Sequence, residues 1–263
     1  MTEVQNGCWW HCSRKARSHG LPEGFVTFGP AFSDPQLPVE ALLLLPSGNC
    51  SRGLLQALRG ASNLRGCGVG LYLGDPFINI DRVASDFAEW SVSWVTNLPS
   101  IAQHDEHFRS DLQEVGFSVD NELEVLVQFR KHGFKTLAAI SDTNQARTFA
   151  DYPADAVLAL QTTDELQISF PSASKRQAMA RSVTETLPDS MIGKPVITLT
   201  NEGEATFTDS ITMMRPEVFS LIESWPANGN GIGNGNQESR SSRRILLQSV
   251  FLEIPRAAAD RPR

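Results

Sequence analysis

Polar side chains follow directly behind several apolar runs of this sequence, and one of them is the carboxylate of Asp75. Residues 70–83 read GLYLGDPFINIDRV, so an apolar run stops at this aspartate. A carboxylate in such a position can hold Mg²⁺, directly or through water, because Mg²⁺ prefers oxygen ligands. Asp-Pro is also a common start of a turn or helix, so Asp75 has a structural interpretation beside the metal-binding one.

Arg109 and Glu114 lie in the long polar segment after Pro99. The planar guanidinium of Arg109 can clamp a substrate carboxylate through two hydrogen bonds. The alternative is a surface salt bridge with Asp105 or Asp111. Glu114 can act as a general acid or base where it is partly buried, and otherwise it is a solvated or helix-capping carboxylate.

Asn97 also ends an apolar run, and it is predicted either to hydrogen-bond a substrate or to satisfy the backbone of its own loop. Further polar residues stand in equivalent positions: Ser47, Asn49, Ser141, Asp142, Gln161, Thr162, Asn201 and Glu202. Together they predict a polar ring at one end of a sheet.

Two patterns of potential metal ligands, one of histidines and one of cysteines, favour solvated segments over metal sites. His104 and His107 flank Asp105 in a loop that offers metal ligands, and Cys8 and Cys12 lack a second Cys/His pair at zinc-finger spacing. No organic cofactor is indicated, because there is no GxGxxG after a first strand, no GK[ST], no GxSxG and no HExxH.

The elements that must position these residues are short apolar runs alternating with amphipathic segments. Continuous apolar runs closed by Gly, Pro or Ser are typical of strands buried on both faces, and here they cover residues 24–29, 41–48, 66–76, 91–99, 135–141, 156–161 and 194–203. Helical patterns cover residues 81–90, 119–133, 142–152 and 172–187. This alternation predicts a parallel α/β sheet, as a barrel or an open doubly wound sheet, with its active site at the carboxyl ends of the strands.

The whole chain has the size and composition of one α/β barrel. It has 263 residues, of which 41% are hydrophobic, and a net charge of −7, which argues against nucleic-acid binding. No apolar run approaches the roughly 18–20 residues that span a bilayer, and no secretory signal begins the sequence, so we expect a cytoplasmic protein without membrane partners. We expect a poorly ordered extension over 1–22, the barrel over 23–225, a flexible Gly/Asn/Ser-rich loop over 226–244, and the last barrel element with a frayed tail over 245–263.

The order of four motifs resembles the phosphoenolpyruvate hydrolase-like family of TIM barrels, also described as TIM-barrel signal transduction proteins and related to the phosphoenolpyruvate mutase and isocitrate lyase superfamily. The matching segments are GDPF (74–77), NLPS (97–100), FRSDLQEVGFSVDNELEV (108–125) and PADAVLAL (153–160). They correspond to TDPF, NFPTVG, FR..LEETGMGY..EV and the GAD strand of the family. LLLLPSGNCSR (42–52) is similar to the family's YNSGRFR, and the resemblance is good over residues 66–160 and thin elsewhere.

Three of the departures from the family bear most on the barrel and its site. The segment between the SGNCSR and DPF motifs is shorter, which indicates a trimmed helix and a shortened or imperfectly closed barrel. Gln161 or a neighbour replaces the histidine of the family's AHMG motif. Asn201 or Glu202 stands near its HGGP histidine.

The resemblance implies a (β/α)₈ barrel and an enzyme of lyase or hydrolase type, acting on a 2-oxo acid, an enol phosphate or a related carboxylate, with Mg²⁺ as the metal if one is used. The predicted site has Asp75 and Glu114 as catalytic residues and Asp75 as metal ligand. The predicted substrate-binding residues are Ser47, Asn97, Arg109 and Glu202. The alternatives are a catalytically degenerate barrel that acts as an interaction or regulatory protein, and a specialised-metabolism enzyme with an altered substrate. A homo-oligomer is compatible with each of these functions.

Overall fold

The structure is a computed structural model, and it describes residues 8–13, 24–29, 50–59, 64, 67–168, 171–201 and 210–214. These residues form eight strands: β1 Cys8–Ser13, β2 Gly24–Gly29, β3 Cys67–Gly70, β4 Trp94–Thr96, β5 Lys135–Ile140, β6 Ala156–Ala159, β7 Val196–Asn201 and β8 Ser210–Met214. The helices are α1 Cys50–Leu58, α2 Ile80–Glu89, α3 Glu106–Glu114, α4 Val119–Lys131, α5 Thr143–Arg147, α6 Thr163–Ile168 and α7 Ala173–Thr186. Three short 3₁₀ turns cover Ile101–Gln103, Thr148–Ala150 and Asp189–Met191.

The strands close into a barrel in chain order, from β1 round to β8. All neighbouring pairs from β2 to β8 are parallel. The exception is β1, which runs antiparallel to both β2 and β8. The predicted α/β barrel with an irregular closure is therefore confirmed, and the irregularity is a reversed first strand.

The strands differ from the predicted pattern mainly at its two ends, whereas helices α1, α3 and α6 lie in segments for which no helix was predicted. Strand β1 lies inside the segment 1–22 that was expected to be a poorly ordered extension, and β8 follows the predicted runs. Strand β2 pairs directly with β3. The strand expected over 41–48 lies outside the described residues, as do the loop and last element expected over 226–263.

Two apolar layers hold the barrel together. The larger layer joins strand residues to helix residues such as Phe87 of α2 and Phe129 of α4, whose rings stack with centroids 6.0 Å apart. The smaller layer contains residues of the strands and strand ends alone: Phe25, Trp94, Leu98, Leu137, Ala139, Ala156, Leu158, Leu160, Ile197 and Leu199. Because side chains alternate along a strand, this second set is the interior of the barrel.

Glycines make room in that interior on β3. A Cβ at Gly68 would lie 2.1 Å from the Phe25 ring, and one at Gly70 would lie 2.7 Å from the Leu98 carbonyl oxygen. The inward face of β3 therefore carries no side chains, and Phe25 of the neighbouring strand fills the space.

Most helices of the described part begin at a side-chain cap that the sequence supplies. Asn79, Asp105, Ser118, Asp142 and Ser172 each accept a hydrogen bond from a backbone N–H of the first turn of their helix. Such caps fix where each helix leaves the loop behind its strand. None of the described helices is long and apolar enough to cross a membrane.

The chain divides into two compact units, Met1–Ala227 and Asn228–Arg263. The barrel lies in the first unit. The second unit lies outside the described residues.

Candidate active site at the carboxyl ends of the strands

Asp75 lies at the carboxyl end of β3, where a turn leads into α2. Its Oδ1 accepts a hydrogen bond from the backbone N–H of Phe77 at 2.9 Å. This hydrogen bond closes the turn that the Asp-Pro pair predicts. The side chain is partly exposed. Within the described residues its Oδ2 has no protein partner.

The residue before Asp75 packs against the loop that follows β4. A Cβ at Gly74 would lie 2.8 Å from Ile101 Cδ1, so the end of β3 is in contact with the 3₁₀ turn Ile101–Gln103. We call this 3₁₀ turn, with its cap Ser100, the β4 turn. It connects the residues described next.

Asn97 is buried and joins the end of β4 to its surroundings. Its Oδ1 accepts the N–H of Ala139 at 2.7 Å, and its Nδ2 donates to the Ala139 carbonyl at 3.0 Å. The same Nδ2 lies 3.0 Å from Ser100 Oγ and from Glu122 Oε2. The contacts therefore agree with the backbone-satisfying interpretation of Asn97, and every polar atom of its amide is occupied within the protein.

Glu122 of α4 is the carboxylate that accepts hydrogen bonds from the β4 turn. Its Oε2 accepts the hydroxyl of Ser100 at 2.5 Å, and its Oε1 accepts the N–H of Ile101 at 3.1 Å. The side chain is 0% exposed. Burial raises the pKa of Glu122 to about 7, although the hydrogen bonds from Ser100, Asn97 and Ile101 act in the opposite direction.

Arg109 of α3 reaches back over the β4 turn to the end of β5. Its Nη1 donates to the Ala102 carbonyl at 3.1 Å and to Ser141 Oγ at 3.0 Å, and it lies 3.3 Å from Asp142 Oδ2. All three contacts use the same nitrogen. Within the described residues, Nε and Nη2 of Arg109 are therefore left for another acceptor.

Ser141 is 3% exposed and completes the setting of Arg109. Its hydroxyl also donates to the Ala102 carbonyl, and its N–H donates to Gln145 Oε1 at 2.8 Å. The salt bridge of Arg109 is thus with Asp142, and not with Asp105 or Asp111 as the sequence alternative had it. Residues 109, 141 and 142 form one cluster at the carboxyl end of β5.

Gln161 lies beside this cluster, at the end of β6. The N–H of Leu160 donates to the Ile140 carbonyl at 2.8 Å, so β5 and β6 remain paired up to the point where Ser141 and Gln161 follow. Gln161 is 1% exposed, and its Oε1 has no hydrogen-bond partner in the part of the chain that the structure describes. A buried amide oxygen without a partner is costly, which makes Gln161 a candidate for contact with a ligand.

The remaining predicted site residues are not joined to these clusters. Glu114 ends α3 with an exposed side chain. Ser47 and Glu202 lie outside the described residues. Burial lowers the pKa of His104, whose ring packs edge-on against Phe108 at 4.8 Å, while His107 is exposed.

A metal ion at Asp75 would have to be shared with a ligand. The described part of the chain contains no group of three or more His, Cys, Asp or Glu side chains able to hold a metal ion. A single carboxylate oxygen fits Mg²⁺ only where the substrate and water supply most of the other oxygens, which is its usual coordination in enzymes.

Sequence reasoning missed Glu122 and Ser100. The signal was available for Glu122, because it stands one helical turn before Leu126 and two before Phe129 on the buried face of α4. A charged residue on an apolar stripe indicates a buried contact.

The fold and this cluster define an α/β barrel with a polar site at the carboxyl ends of its strands, the position of active sites in such barrels. The model of the family described as "Phosphoenolpyruvate hydrolase-like" matches residues 61–216, which is more than half of the chain. The chain therefore belongs to the phosphoenolpyruvate hydrolase-like family.

Comparison with other known proteins adds little to that assignment. No curated protein matches the chain. Among solved structures, FabK from Thermotoga maritima is similar with a TM-score of 0.33 and 16% identity, over 59% of this chain and 40% of that protein. Nitroalkane oxidase from Streptomyces ansochromogenes has a TM-score of 0.31 and 14% identity, over 57% of this chain and 47% of its own. The family rests on the match over residues 61–216.

Proposed function

We propose that this protein is a cytoplasmic enzyme of hydrolase or lyase type that acts on a small carboxylate, either a 2-oxo acid or an enol phosphate. The observation that carries the proposal is the setting of Arg109. One of its nitrogens is fixed by Ala102, Ser141 and Asp142, while the other two have no acceptor among the described residues. A guanidinium held in this way is preorganised for a carboxylate or phosphate.

The roles of the other residues follow from their positions. Arg109 orients the acid group of the substrate. Gln161 offers an acceptor to a hydroxyl or other donor of the same molecule, since its Oε1 lacks a partner among the described residues. Asp75 supplies an oxygen ligand to Mg²⁺, which when bound would polarise a substrate oxygen and stabilise an enolate.

Glu114 is given no proton-transfer step in this proposal. Its side chain is exposed, and it makes none of the contacts that join Arg109, Ser141 and Asn97. Its catalytic role stays a prediction from the sequence.

The proposal is tested by thermal unfolding of the purified protein with phosphoenolpyruvate, pyruvate, oxaloacetate or oxalate, each with and without Mg²⁺. A ligand that binds the folded state alone raises the melting temperature by mass action. The shift should be lost in Arg109→Gln and kept in Arg82→Gln, which changes an exposed arginine of α2. The Mg²⁺-dependent part should be lost in Asp75→Asn and kept in Asp111→Asn, an exposed control on α3.

A second candidate function, an interaction or regulatory protein, is supported by Phe77. Its side chain is 91% exposed and lies two residues after Asp75, at the same end of the barrel. An apolar ring so exposed suits a contact with a second copy of the chain, although single exposed apolar residues are common. Analytical ultracentrifugation tests this candidate: it predicts self-association that Phe77→Ser abolishes, in a protein that none of the acids stabilises.

A further inference from the structure

Glu122 is a buried carboxylate whose contacts come from neutral groups. The hydroxyl of Ser100, the amide of Asn97 and the backbone N–H of Ile101 provide its hydrogen bonds. Burying a charge without an opposite charge is expensive, and a nonpolar residue would serve the packing of α4 better. The presence of a carboxylate here calls for a role beyond packing.

The geometry shows what the carboxylate holds. Glu122 binds the first two residues of the β4 turn, at Ser100 and Ile101. The next residue of that turn, Ala102, turns its carbonyl to the other side, where it accepts Arg109 Nη1 at 3.1 Å and the hydroxyl of Ser141. The carboxylate and the guanidinium are thus connected through one short, buried turn.

We propose that Glu122 is a positioning residue, which sets the place of the Arg109 guanidinium by fixing the β4 turn between them. Its relevance to catalysis rests on the proposed function, because Arg109 is there the group that binds the substrate carboxylate. Glu122 itself touches no substrate, since its side chain is fully buried behind the turn.

The charged groups around Glu122 in the described residues do not hold the β4 turn in its place. The elements packed against α4 are β4, β5, the β4 turn and α2. Of their described side chains, the charged ones are Lys135 on β5, which stands over the Trp94 ring, and Asp81, Arg82, Asp86 and Glu89 on α2. None of them makes an ion pair or hydrogen bond with Glu122 in the described residues. The raised pKa of Glu122 agrees with this absence of a nearby cation.

The test is the chemical reactivity of Arg109 toward phenylglyoxal, read by peptide mass spectrometry as a ratio to the exposed Arg82 of the same molecule. In Glu122→Gln, the amide oxygen can still accept from Ser100 and Asn97, but the NH₂ group then opposes the Ile101 N–H. The turn should loosen, and the ratio should rise several-fold.

Two controls separate positioning from general loss of stability. Glu124→Gln changes an exposed carboxylate of the same helix and should leave the ratio unchanged. Leu126→Ala removes buried apolar volume from α4 without touching the β4 turn. The inference is overturned if Glu122→Gln leaves the ratio at its wild-type value, or if Leu126→Ala raises it equally under conditions where all variants are folded.

Calorimetric titration with phosphoenolpyruvate, run beside the reactivity measurement, separates this inference from the proposed function. If both are right, Glu122→Gln weakens phosphoenolpyruvate binding about tenfold, equivalent to about 1.4 kcal/mol, while Glu124→Gln binds as the wild type does. If the wild type binds no acid and the ratio still rises in Glu122→Gln alone, the proposed function fails and the positioning of Arg109 stands.

Discussion

Arg109 Nη1 lies 3.0 Å from Ser141 Oγ, so a side chain of α3 is fixed by a residue at the end of β5, 32 positions further along the chain. The two residues also share one acceptor, the carbonyl of Ala102. The guanidinium therefore has a defined place at the mouth of the barrel before any ligand arrives. Groups that are fixed in advance lose less conformational freedom on binding, which favours affinity.

Removing the hydroxyl of Ser141 should weaken ligand binding more than it weakens the fold. Ser141→Ala removes one hydrogen bond of Arg109, with an expected cost of about 1 kcal/mol in the free energy of unfolding. Affinity for the acid that stabilises the wild type should fall, because Nη1 keeps only Ala102 and Asp142. Calorimetric titration and urea denaturation check the two effects, and unchanged affinity would contradict the role of Ser141. Ser174→Ala, on an exposed stretch of α7, is the matched control.

The pH dependence of stability should carry the signature of Glu122. Its pKa is about 7 in the folded protein against an ordinary value of 4.5, so the folded state binds this proton more tightly than the unfolded chain. The contribution of Glu122 to the free energy of unfolding is fully present below pH 4.5. It is lost as the pH rises through about 7, and the total change is on the order of 3 kcal/mol. Urea denaturation at pH 5 and pH 8 measures it as the difference between wild type and Glu122→Gln. An equal pH dependence in the two proteins would show that Glu122 titrates normally.

Replacing Gln161 should separate binding from stability. Gln161→Met keeps the approximate volume and removes a buried amide oxygen that lacks a partner within the described part of the chain. We expect the free energy of unfolding to stay constant or to rise by about 1 kcal/mol, while ligand affinity falls. Thermal unfolding with and without the ligand checks both directions. The exposed Gln113 provides the control Gln113→Met, and a clear loss of stability in Gln161→Met alone would mean that the amide is satisfied in solution.

A methyl group on the inner face of β3 should disrupt the barrel interior. Gly70→Ala brings its Cβ to 2.7 Å from the Leu98 carbonyl and 2.9 Å from the Thr27 side chain. The Leu98 carbonyl is buried and accepts a hydrogen bond from Thr27 Oγ1, so it cannot move away easily. We expect a loss of about 2–3 kcal/mol, typical of overpacking. Gly133→Ala is the comparison, since its Cβ would meet nothing within 4 Å and its φ of +93° alone opposes the change. Denaturant titration of both variants ranks them, and a smaller loss for Gly70→Ala would contradict the close packing.

The sequence predicted the parallel part of the barrel because buried strands and amphipathic helices leave strong patterns. The apolar runs located β2 and β3 to β7, and the helical pattern at residues 119–133 closely matches α4, Val119–Lys131. Strand β1 was missed because CWWHCS has no continuous apolar run. The position of β1 is set by its pairing with β8, which is distant in the sequence. No pattern within a short segment can indicate such a pairing.

The site was predicted in part, as positions at strand ends but not as contacts. Asp75, Asn97 and Arg109 do lie at the carboxyl ends of β3, β4 and β5 or on the loops behind them. The partner of Arg109 proved to be Asp142, because proximity along the chain favours Asp105 and Asp111 while the barrel brings the end of β5 closer. The position of Glu122 on the apolar face of α4 indicated a buried contact, but its partners in the β4 turn could be recognised only once the helix was placed against that turn.

Because β1 is reversed, the barrel is closed by two antiparallel strand pairs, which a regular eightfold parallel barrel lacks. Its residues pair with β2 on one side and with β8 on the other, as in the register His11 with Val26 and with Met214. Shortening the chain before residue 14 would uncover two open sheet edges at once. Exposed edges of this kind invite pairing between molecules and aggregation. The N-terminal strand therefore closes the barrel. We expect its removal to lower the solubility of the protein during expression as well as to open the sheet.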